Sequence, residues 1–183
     1  GNNRSFGGGQ GIVTSNNYGV NYINSFAKIF EVSGDYFYKN SSSDNKSTSN
    51  RETFLSDGTS FSRNSNNTSL NDSDSHDASI DFEIEIDSTF RIDIETDFNK
   101  NLNTNRFNSE SETLNVSKTL TNDSKIGSIA DSDRETFNNE INLTKKFGSK
   151  GAFLRVELTA NLNKTTTDDF VKSETNIYGS NPD

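Results

Sequence analysis

The sequence predicts an all-β fold, an antiparallel meander whose strands are apolar on one face and polar on the other. Apolar and charged residues alternate strictly over Ala78–Ile86 and resume over Phe90–Phe98 after the short break Asp87-Ser88-Thr89. Side chains of a strand point alternately to opposite faces, whereas a helix would scatter these residues around its axis. Connections this short join antiparallel strands into hairpins. Composition agrees. The chain has 183 residues, 27 of them Asn and 27 Ser, and only 28% are hydrophobic. Ordinary globular domains carry roughly 45–50% apolar residues, Gly included, so the composition argues against a conventional enzyme with a deep core and favours an architecture needing one apolar residue in two.

The elements follow in order. Residues 1–17 read as a Gly/Asn-rich connector or loop. The first hairpin joins a strand over 18–24, carrying Tyr18, Val20 and Tyr22, to one over 29–38. In the latter, Phe30, Val32, Tyr36 and Tyr38 make the apolar stripe, Glu31 and Asp35 the polar one, and Phe37 breaks the alternation. The second hairpin, over 78–86 and 90–99, sets Ile80, Phe82, Ile84, Ile86, Phe90, Ile92, Ile94 and Phe98 against Asp81, Glu83, Glu85, Arg91, Asp93, Glu95 and Asp97. The third, over 136–144 and 152–163, opposes Ile141, Leu143, Leu154, Val156, Leu158 and Leu162 to Glu140, Arg155 and Glu157. Residues 39–77 and 100–135 read as long loops rich in Asn, Ser, Asp and Thr, far above the usual connection length. Within the first, Asp57-Gly58 is a turn signal, capping a hairpin that projects beyond the main sheet. Residues 164–183 read as a further loop and the start of another strand.

Each strand has an apolar stripe that must leave water, and no amphipathic helix or second apolar set is available to cover it. One greasy face, one charged face, short turns at one end and long polar loops at the other fit a transmembrane β-barrel. Strands of this length suit a tilted crossing of the hydrocarbon layer. Lipid would then cover the apolar residues named above, and a watery lumen the charged ones. Tyr38, Phe90, Phe98 and Phe137 stand where interfacial girdles form. Backbone groups in lipid must all be paired, which demands closure, and six strands fall short of the roughly eight that natural barrels need. The chain therefore reads as part of a larger barrel. The competing architecture is a soluble sandwich with the stripes buried between two sheets.

Other classes fall on composition. Without Cys there is no disulfide framework, zinc-thiolate site or thiol nucleophile. No apolar run approaches the roughly 20 residues of a transmembrane helix. A formal charge of −9 argues against a nucleic-acid partner. No basic and apolar leader opens the sequence, so it reads as mature, processed or excised.

The runs GIVTSNNYGVNY (Gly11–Tyr22), VSGDYFYKNSSSDN (Val32–Asn45) and RETFLSDG (Arg51–Gly58) resemble the barrel region of TonB-dependent-receptor-like outer-membrane proteins, most nearly the group with a carboxypeptidase-regulatory-like domain, a plug and a large Asn/Ser-rich barrel. The turns Ile86–Thr89 and Lys145–Gly151 resemble that family's periplasmic turns. The resemblance implies a bacterial outer-membrane location with the long loops extracellular. It also implies nutrient transport, or a non-transporting barrel subunit that scaffolds surface lipoproteins or other outer-membrane complex subunits. Partners would be outer-membrane lipid, the remainder of the barrel, and the TonB system through a plug that this chain lacks.

No residue set calls for catalysis or a cofactor. His76, the single histidine, reads as a solvated loop residue within Asp72–Asp77. That acidic run lacks the Gly and the distal Glu of a calcium loop; a soluble calcium-dependent surface adhesin is the alternative it leaves open. The carboxylates of the charged stripes read as lumen lining rather than an acid–base pair, with Arg91 and Arg155 offsetting their charge. Gly7–Gly11 lacks the strand, helix and Lys of a phosphate cradle and reads as a connector. A lone His in an acidic loop makes no Ser-His-Asp triad.

Overall fold

The computed structural model describes residues 11–27, 29–148 and 151–179. They form one six-stranded sheet of consecutive antiparallel hairpins: β1 (Ile12–Phe26), β2 (Phe30–Phe54), β3 (Ser60–Asp87), β4 (Phe90–Leu114), β5 (Leu120–Phe147) and β6 (Ala152–Ile177). No helix occurs among the described residues. The all-β antiparallel meander expected from the alternation is present.

The segments 39–77 and 100–135 are not loops. β2 and β3 stay paired from Phe30↔Ile84 out to Phe54↔Ser60, and β4 and β5 from Phe90↔Lys145 to Leu114↔Leu120. Residues 164–177 likewise continue β6, and β1 begins at Ile12, inside the expected connector. Each long segment is the outer half of two strands joined by a tight turn. The expectation failed because neither face of these halves carries an apolar stripe, so no period of two marks them as strands. Short side chains bridge the strands instead. Ser42 donates to Asp72 at 2.7 Å, Thr48 to Asn66 at 2.9 Å and Thr104 to Asp131 at 2.6 Å, while Ser49 and Ser65 share a hydrogen at 2.9 Å. Cross-strand pairs of this kind contribute about 0.2–1 kcal/mol each.

The two far turns are built alike. Leu55 N–H donates to Thr59 C=O and Gly58 N–H to Leu55 C=O; Asn115 and Lys118 repeat this with Thr119 and Asn115. Each turn needs one residue in the left-handed region, Gly58 at φ 84° and Lys118 at φ 61°. The Asp57-Gly58 signal is thus a real turn, but the hairpin it caps is part of the main sheet. At the near end β3 bulges between Glu85 and Asp87 before turning into β4.

Asp57 closes its turn by accepting hydrogen bonds from Thr59 Oγ1 at 2.6 Å and Thr59 N–H at 2.9 Å, and these hold its carboxyl below the usual carboxylate range. A depressed carboxylate contributes fully above its unfolded value, near 3.9, and the contribution disappears as pH falls through the folded value. Amide exchange at Thr59 should therefore accelerate as the solution is made more acid than about pH 4, once intrinsic rates are divided out. Asp57→Asn should flatten that pH dependence; an unchanged profile in the variant would remove Asp57 as its cause.

The sheet is a single layer. Its accessible surface is 13467 Å², against about 8,800 Å² for a compact protein of this mass. No hydrophobic residue is buried among the described residues. The apolar face has nothing against it.

Candidate membrane-facing band and the acidic face behind it

Directly opposed residues in an antiparallel ladder share a face, so the register decides which stripes meet. One row across all six strands is Phe26, Phe30, Ile84, Ile92, Leu143 and Val156; the next is Asn24, Val32, Phe82, Ile94, Ile141 and Leu158. Further out come Tyr22, Gly34, Ile80, Thr96, Asn139 and Ala160, then Val20, Tyr36, Ala78, Phe98, Phe137 and Leu162. The apolar stripes read strand by strand therefore merge into one continuous band. Ile86 lies in the bulge, where the register slips, and Leu154 faces Lys145 at the near rim.

From Phe90 to Phe98 the band runs about 27 Å along the strand. At a barrel tilt of about 35–45° that becomes about 20 Å of height, close to the ~25 Å apolar belt of outer-membrane barrels. Aromatic groups border both rims. At the near rim the Phe30 ring lies 5.9 Å from Phe26 and 5.8 Å from Phe82, and Lys145 Nζ sits 5.4 Å over the Phe90 ring. At the far rim Tyr18 stacks on Tyr38 at 6.3 Å, and Tyr38 lies 5.0 Å from the His76 ring.

His76 is therefore not a loop residue. It occupies β3 opposite Tyr38, and its Nδ1 is 2.7 Å from Tyr36 Oη. Tyr38 Oη donates to Asp74 at 2.6 Å. These are rings with an apolar body on the band and a polar tip directed towards the polar half, the arrangement favoured where hydrocarbon meets water. Sequence reasoning missed the His76 contacts because residues 72–77 look like an acidic loop until the register pairs them with Tyr38 and its neighbours. Among the expected girdle residues, Phe98 and Phe137 pair directly across β4 and β5 one row inside this rim.

The opposite face of the same segments is acidic. Glu31, Glu83 and Asp93 form one row across three strands, and Asp81, Glu95 and Glu140 the next; Asp35 and Asp97 follow in the row beyond. Arg91 bridges two of these carboxylates, at 2.8 Å to Glu83 and 2.7 Å to Asp93. Arg155, on the same face, makes no ion pair among the described residues; both its Nε and Nη2 donate to Asn142 Oδ1, at 3.1 and 3.0 Å. Like charges directly opposite one another destabilise a sheet, so this face needs water or counter-ions to solvate it. Phe37, the break in the alternation, lies on this face over Gly19: a side chain there would meet its ring at 2.5 Å. The ring covers backbone that Gly19 leaves bare.

Among the described residues no three His, Asp or Glu side chains gather into a metal-ligating group. Nor is any helix long and apolar enough to cross a membrane, which has no bearing on crossing by strands. No protein-family model matches the chain, and no curated protein matches it.

Proposed function

We propose that this chain is a stretch of wall from a bacterial outer-membrane β-barrel of the TonB-dependent-receptor-like group. The apolar band faces lipid and the acidic face lines the lumen. The observation that carries the reading is the uncovered band itself: six strands in register, apolar over a bilayer-sized height on one face only, with no buried hydrophobic residue anywhere in the described sheet. In water such a face would cost about 25 cal/mol for every Å² of apolar surface left exposed. Acyl chains remove that cost without a second protein layer. The sheet edges at β1 and β6 carry unpaired backbone groups, which further strands of a closed barrel would satisfy. The family assignment rests on the resemblance of Gly11–Tyr22, Val32–Asn45 and Arg51–Gly58.

Transport through the lumen is one role for such a wall. A second, scaffolding of surface partners, is favoured by the length of the strands: from Phe98 to Leu114, β4 runs about 54 Å beyond the band. That polar half would stand clear of the bilayer as an extracellular platform.

The intact protein should stay with the membrane fraction through alkaline and high-salt washes and come out only with detergent. Unboiled, it should migrate differently in electrophoresis from the boiled form, since a closed barrel resists unfolding by the denaturing detergent. Recovery of native protein in detergent-free buffer would end the membrane reading.

A further inference from the structure

Along the outer half of the lumen-side face the acidic character stops. Ser, Asn and Thr dominate there, and near the far turns two arginines stand directly opposite each other, Arg51 on β2 and Arg63 on β3. Two like charges so placed repel unless an anion joins them. Nothing in the described residues does so, since neither guanidinium belongs to an ion pair in a chain of net charge −9. The neighbouring carboxylates Glu52 and Glu112 pair with Ser62 and Asn64, positions of the opposite face. Arg63 is held at one corner only: its Nη2 donates to Ser111 Oγ at 3.1 Å, and Ser111 is one of two buried residues among those described. Its remaining N–H groups have no partner among the described residues.

The same place is apolar. A depression of about 620 Å³ lies between the two far turns, lined by Arg63 together with Phe61, Leu55 and Val116. Leu55 is about half exposed and Val116 more so, and neither is buried by any of the described residues. Thr113 and Asn122 continue the Arg63 row across β4 and β5 and add neutral hydrogen-bonding groups.

We infer that this depression binds an organic anion. A carboxylate or phosphate is taken by Arg63, with Arg51 supporting the charge, and the apolar part of the ligand rests on Phe61, Leu55 and Val116. A guanidinium presents paired donors to such planar or tetrahedral oxyanions, which a lysine does not. The site is independent of whether lipid covers the band.

The test uses the intact protein, in detergent or in plain buffer if it proves soluble, so that failure of the membrane reading leaves this measurement standing. Titration calorimetry against matched blanks would compare 3-phenylpropionate, its neutral amide and inorganic phosphate. Phenylpropionate should bind, and the amide should bind about tenfold more weakly, the order expected for losing a charged hydrogen bond. Arg63→Gln should bring phenylpropionate down to the level of the amide, with Arg63→Lys between. Phe61→Ala should weaken phenylpropionate and leave phosphate unchanged. Arg106→Gln, on the other face, should change neither. No heat from phenylpropionate with the unmodified protein, equal binding of the amide, or an Arg63→Gln protein that binds normally would each overturn the assignment.

Discussion

Ile94→Arg should destabilise the intact protein in lipid vesicles by about 2–4 kcal/mol, the cost of an arginine at the bilayer midplane on the outer face of a barrel. Ile94 stands in a middle row of the band, with Phe82 and Ile141 directly opposite on the two flanking strands. The same change one row inside the far rim, Phe98→Arg, should cost only about 0–1 kcal/mol, because the long side chain can reach the headgroup region. Reversible denaturant unfolding of both variants in vesicles would measure the gradient. A buried sandwich core would show no such dependence on depth, since an arginine in either row would be sealed from water. Equal costs at Ile94 and Phe98 would therefore argue for protein, and against lipid, over the band.

The second large effect is spectroscopic, read as the difference between each variant and the unmodified protein, this stretch itself having no tryptophan. Phe82→Trp places a fluorophore in a middle row of the band, Tyr18→Trp one at the far rim, and Phe170→Trp one far out on β6. In vesicles containing brominated acyl chains, the tryptophan at 82 should be quenched strongly and most by bromines deep in the chain. At 18 quenching should be stronger from shallow bromines, and at 170 it should be negligible. Phe170 pairs with Ile129 on the same face as the band, yet it lies in the half that the reading places outside the bilayer. The comparison thus tests height along one face rather than choice of face. Strong quenching at 170, or none at 82, would contradict the placement of the membrane.

Some of this was legible in the residues. Strict alternation over Ala78–Ile86 and Phe90–Phe98 gave away strands, face and hairpin, because an amphipathic strand must separate what water accepts from what it rejects. The outer halves carried no such mark. In Thr68, Leu70 and Asp72 or in Asn101, Asn103 and Asn105 neither face is selected for apolarity, so the period of two is silent. The useful signal was different: Asp57-Gly58 and the stretch around Lys118 fall near the middle of the two apparent loops, where a turn would let both halves of each segment pair.

Composition and periodicity by themselves determined an antiparallel sheet with one greasy face. Only the three-dimensional register decided that the stripes merge into a single band, that Tyr18, Tyr38 and His76 border it, and that Arg51 meets Arg63 across two strands. The physical reason is that a strand's own sequence specifies which side chains share a face. Which neighbour each of them meets depends on hairpin closure many residues away, through ladder bonds that are blind to side-chain identity.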